Sequence, residues 1–95
     1  MEMPPYHPPK KYSVRIEGHR TSISLEPMFW EMLSTAAAVR GQSINSLVAE
    51  IDAERIKAET PPGLAGAIRI WLVTRETEKR EEKPRRSPLD GPAVR

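Results

Sequence analysis

Cysteine is absent from this chain, which excludes disulfide staples and any cysteine-ligated zinc site. Histidine is scarce. Only His7 and His19 occur, and His7 lies among prolines, so a metal site assembled from them is not expected. Long apolar runs are missing too: the longest, Leu64 to Val73, is interrupted by Arg69 and falls short of the roughly 20 residues a membrane span needs. The opening stretch MEMPPYHPPKK has four prolines and no apolar run, unlike a secretory signal. Catalytic signatures are equally lacking. No serine sits in G-x-S-x-G, and Gly63-Leu64-Ala65-Gly66 has neither the lysine nor the spacing of a phosphate loop. A soluble, cytoplasmic, non-enzymatic protein without metal or cofactor is the expectation.

What is present is small and punctuated: 95 residues, of which ten are proline and five glycine. A chain this short buries a marginal core, and with disulfides and zinc excluded, oligomerisation is the remaining common remedy. The net charge of +2 is unevenly spread: residues 1–25 sum to +2, 26–58 to −2, 59–76 to zero and 77–95 to +2. The early segment, with Lys10, Lys11, Arg15 and Arg20, is therefore the better landing site for a polyanion.

Prolines at 4, 5, 8 and 9 make residues 1–11 an extended arm. Tyr12 to Ile16 is β-prone, with Val14 and Ile16 alternating with Ser13 and Arg15, and Glu17-Gly18 reads as a turn. His19 to Leu25 is a clearer strand. Thr21, Ile23 and Leu25 face one way and Arg20, Ser22 and Ser24 the other. Whether the earlier run forms a hairpin with this strand or extends as an arm is open from sequence. A lone strand must pair with something.

Glu26-Pro27 starts a helix, since proline at the first helical position loses no hydrogen bond. Phe29, Trp30, Leu33, Ala36 and Ala37 keep helical spacing to Arg40, and Gly41 is a stop. Ser43 is the N-cap of a second helix, with Ile44, Leu47, Val48 and Ile51 at i, i+3, i+4 and i+7, running to about residue 57 or 58. Glu50, Asp52 and Glu54 lie off its apolar face and read as solvated surface. Leu64 to Val73 is helix or strand by composition, with helix favoured. From Thr77 the sequence is charged, proline-rich and expected to be disordered.

Strand, helix, glycine turn, helix is an order with a precedent. The segment RTSISLEPMFWEMLSTAAAVRGQSINSLVAEI resembles the ribbon-helix-helix DNA-binding proteins, the group that includes the Arc and MetJ repressors. Two stretches carry the likeness: the alternating strand followed by Pro27 and an aromatic helix, and Gly41-Gln42-Ser43-Ile44-Asn45, which is similar to the family's G-x-S-x-N turn. The wider span from Lys11 to Val73 resembles a bacterial subgroup of the same domains.

The resemblance implies an α+β, mostly α, intertwined homodimer in which two strands form an intermolecular antiparallel ribbon. Its core would hold Ile23, Leu25, Phe29, Trp30, Leu33, Leu47, Val48 and Ile51. The partner is double-stranded DNA. Arg20, Ser22 and Ser24 would contact bases in the major groove. Gln42, Ser43, Ile44 and Asn45 at the second helix start, with Lys10, Lys11 and Arg15 ahead of the strand, would contact phosphates. The serines are shorter than the side chains that stronger family members carry at these positions.

The expected organisation is a flexible arm at 1–11, the ribbon-helix-helix domain at 12–58, an accessory and helical segment at 59–76 and a charged tail at 77–95. The expected function is a sequence-selective transcriptional regulator, a repressor. Two alternatives are an antitoxin-type protein that binds a partner protein through residues 60–95, and a nonspecific architectural DNA binder.

Overall fold

The computed structural model describes residues 6–82. Two strands, β1 (Lys10–Ile16) and β2 (His19–Leu25), precede three helices, α1 (Pro27–Val39), α2 (Ile44–Arg55) and α3 (Leu64–Glu82). The strands pair antiparallel as a hairpin, from Lys10 opposite Leu25 to Ile16 opposite His19. Glu17 and Gly18 close it with φ of 49° and 83°. Two central residues at positive φ match the right-handed twist of the strands, as in a type I′ turn. The earlier run thus forms a hairpin with the main strand, the point left open by the sequence, and β1 supplies a partner for one edge of β2.

Local chemistry sets the helix ends. Pro27 opens α1 after an extended Glu26. At its far end Gly41, with φ of 70°, lets the N–H of Gln42 reach the Ala37 carbonyl and its own N–H reach that of Ala38, both at 3.0 Å. That is the Schellman arrangement, which only a residue at ease in the left-handed region closes without strain. Ser43 caps α2 by accepting the Ser46 N–H at 3.0 Å. The helix ends at Arg55, a little before the expected 57 or 58.

The core lies beneath the hairpin. Val14, Ile23 and Leu25 meet Leu33, Ala36 and Ala37 of α1, Leu47, Val48 and Ile51 of α2, and Ala67, Ile68 and Leu72 of α3. Six of the eight residues implied for a dimer core are therefore already buried within one chain. The other two, Phe29 and Trp30, are half-buried against it. Trp30 stacks on Tyr12 of β1 with ring centroids 4.1 Å apart and planes 1° off parallel.

The ambiguous apolar segment is helical because its buried residues recur at 67, 68 and 72, a spacing that a strand cannot present to one face. Arg69 interrupts the apolar run without leaving the fold. Its guanidinium binds the Glu26 carboxylate through Nε and Nη2, each at 2.9 Å. Trp71 packs under two guanidiniums, Arg40 at 5.7 Å and Arg75 at 5.2 Å. The helix continues to Glu82, past the boundary expected at 76 and into the stretch read as a disordered tail. The rest of that tail, 83–95, and the first five residues of the arm lie outside the described residues.

Candidate nucleic-acid interface

Strand alternation sorts the hairpin into two faces. Val14, Ile23 and Leu25 are buried on one, with Tyr12, Ile16 and Thr21 beside them. The other is fully exposed and made of three directly opposed pairs: Lys11 with Ser24, Ser13 with Ser22, and Arg15 with Arg20. It holds three cations, three hydroxyls and no carboxylate. Among the described residues, none of the three cations has an ion-pair partner. Glu26, the residue after β2, is bound by Arg69.

The two edges of the hairpin differ. A two-residue turn makes Ile16–His19 a hydrogen-bonded pair, so the main-chain groups of residues 11, 13 and 15 point outward from β1 and those of 20, 22 and 24 outward from β2. On the β1 side, the Arg15 N–H donates to Asn45 Oδ1 at 3.0 Å, which seats the start of α2 against that edge. On the β2 side, no described residue bonds the outward N–H of Arg20, Ser22 or Ser24.

The start of α2 offers fewer donors than its sequence suggests. The Gln42 N–H is committed to Ala37 and the Ser43 hydroxyl to Ser46. The Gln42 side chain donates to Ser46 and Glu50, and accepts from Arg40. The N–H groups of Ile44 and Asn45, in the first turn, have no carbonyl one turn back to bond. They carry the positive end of the helix dipole.

Residues 9–75, most of the described chain, match the family model of the ribbon-helix-helix domain. The chain belongs to the ribbon-helix-helix family. Among curated proteins and among solved structures, nothing matches it. Ribbon-helix-helix domains are DNA-binding and regulatory rather than catalytic, and they dimerise. No described helix is long and apolar enough to cross a membrane.

Within this ribbon-helix-helix domain, the residues singled out from sequence do not all converge. Arg20, Ser22 and Ser24 share the exposed ribbon face, and Lys11 and Arg15 join them there as strand residues rather than as parts of a flexible arm. Lys10 is separated from them by alternation and sits opposite Leu25 on the other face. Ser13 belongs to the face and was missed. The signal for it was the Glu17-Gly18 turn, which fixes the register and with it the side of every β1 residue.

The acidic residues of α2 are surface partners of basic ones: Glu50 with Arg40 at 2.8 Å, Asp52 with Arg55 at 2.9 Å and Glu54 with Lys57 at 3.6 Å. A shallow cavity of about 380 Å³ beside the hairpin turn is lined by His19, Asp52 and Arg55 among others. Its Asp52 is already engaged by Arg55, which also donates to the Pro62 carbonyl. No group of three metal-ligating side chains occurs among the described residues.

Proposed function

We propose that this ribbon-helix-helix protein is a sequence-selective transcriptional regulator, a repressor, that sets a β-ribbon into the DNA major groove as a homodimer. The observation that carries this reading is the exposed hairpin face, with three cations, three hydroxyls and no carboxylate. A face of that kind attracts a polyanion and can hydrogen-bond base edges, and the major groove admits β-strands.

The asymmetry of the hairpin edges supports the second chain. With Asn45 on the Arg15 N–H of β1, and no outward N–H of β2 bonded among the described residues, β2 is the more open edge. A second copy laying its own β2 antiparallel along it would restore the two-chain ribbon as the middle of a four-stranded sheet. Exposed apolar side chains of α1 point the same way. Met28 and Val39 lie on one stripe with the half-buried Met32, surface that a second copy would cover.

In this arrangement Arg20 is the principal base reader, because its planar fork can bond guanine O6 and N7 together. Ser22 and Ser24 donate or accept and so fit several bases. The first-turn N–H groups of Ile44 and Asn45 meet backbone phosphate. Of the apolar residues on α3, Ala67, Ile68 and Leu72 are spent on the chain's own core. Ile70 and Val73 remain exposed for the partner protein that an antitoxin-type role would require.

The test is fluorescence anisotropy on the DNA upstream of the protein's own coding sequence, against a shuffled duplex, across a salt series. Preference for the upstream duplex, with log affinity falling linearly in log salt, is the expected result. Equal affinity would point to architectural binding, and no binding to either would favour the protein-interaction reading.

A further inference from the structure

The geometry points to β1 as a second DNA-contacting strand, one that grips the phosphate backbones at the rims of the major groove through Lys11 and Arg15 while β2 reads its floor. This rests on the DNA-binding reading above and adds a division of labour that a single-stranded ribbon element cannot have.

Width is the first argument. Strands lie about 4.8 Å apart, so the outer strands of a β1-β2-β2-β1 sheet are separated by ~14 Å. The major groove is only about 12 Å wide. The central pair fits between the backbones, and the two β1 strands come to lie over the rims, where the phosphates are. Composition agrees with position. On the exposed ribbon face β1 carries two cations around one hydroxyl, whereas β2 carries one cation and two hydroxyls.

Charge placement is the second argument. Arg15 lies directly opposite Arg20, and among the described residues neither meets a carboxylate. Like charges facing each other across a strand pair destabilise it. The repulsion is relieved if one guanidinium takes a phosphate while the other takes a base. Asn45 reinforces this, because its bond to the Arg15 N–H brings the unbonded first-turn N–H groups of α2 to the same rim.

The experiment uses the full chain and the duplex it prefers, with Arg15→Thr and Lys11→Thr. Each phosphate contact contributes about 0.9 to the slope of log affinity on log salt, and a dimer carries each contact twice. Arg15→Thr and Lys11→Thr are expected to lower that slope by about one to two and to weaken all duplexes alike. Arg15→Lys keeps the charge and restores the slope. Without DNA, Arg15→Thr melts at or above the wild-type temperature, which also shows that the variant folds. Wild-type slopes in both the Arg15 and Lys11 variants would overturn the inference while leaving DNA binding intact. So would an Arg15→Thr protein whose ranking of duplexes changes, because that marks a base reader. A wild-type protein that binds no duplex would instead overturn the DNA-binding reading on which the inference stands.

Discussion

Asn45 at the start of α2 accepts the backbone N–H of Arg15 in β1, across 30 residues of sequence and at 3.0 Å. This one bond does two things. It occupies one of the three outward N–H groups of β1, which leaves β2 the more open edge for extension, and it holds a helix N-terminus against the ribbon. An open strand edge is a template for unwanted pairing, and a side-chain acceptor is an economical way to blunt it.

Asn45→Ala should lower stability by about 0.5–1.5 kcal/mol, the net worth of an ordinary hydrogen bond, with water replacing part of it at this exposed position. Thermal unfolding measures the loss. Asn45→Asp keeps the acceptor and should recover most of it; equal losses in both variants would show that the bond to Arg15 is not what matters.

Glu26 links strand to helix and is held by Arg69 of α3. Its carboxyl lies below the ordinary carboxylate range, first because a backbone N–H donates to it and next because Arg69 does. A carboxyl lowered in the folded state stabilises the fold at pH above its unfolded value, and that stability is lost as pH falls through the folded one. Acidification below the usual carboxylate range should therefore reduce the melting temperature of the wild type more than that of Glu26→Gln. Identical pH profiles would contradict this.

Glu17 holds φ of 49° at the hairpin turn without being glycine. Asparagine tolerates that region better and precedes glycine in the most favoured two-residue hairpins. Glu17→Asn should raise stability by about 0.5–1 kcal/mol in denaturant unfolding. Gly41→Ala should do the opposite. Nothing stands within 4 Å of the added methyl, so the loss, about 1 kcal/mol, comes from the backbone at φ of 70°.

Arg20→Ala should weaken binding to the preferred duplex by roughly 5- to 150-fold for each of the two contacts a dimer carries, the range of about 1–3 kcal/mol for one bidentate base contact. The loss should be smaller on shuffled DNA. Its helical circular dichroism should be unchanged, because Arg20 is exposed and has no ion pair among the described residues. Loss of helix would make Arg20 structural instead.

Much of the fold and part of the site were legible in the sequence, and the reason is locality. Pro27 starting α1, Gly41 ending it and Ser43 capping α2 act on bonds within a few residues, so their chemistry specifies them wherever they occur. Alternation from His19 to Leu25 likewise separates Ile23 and Leu25, which go to the core, from Arg20, Ser22 and Ser24, which stay exposed. Other features depended on partners far along the chain. That β2 pairs with β1, that Lys11, Ser13 and Arg15 thereby share its exposed face and Lys10 does not, that Arg69 reaches Glu26 and that Trp30 lies on Tyr12 are outcomes of packing. Composition left Leu64 to Val73 poised between helix and strand, and the groove over α1 and α2 decided it by accepting Ala67, Ile68 and Leu72 at helical spacing. Caps and periodicities are short-range, so β2, α1 and α2 follow from the sequence alone; the helicity of Leu64 to Val73 and the partners of every element come from tertiary packing, because burial and edge pairing need distant residues to meet.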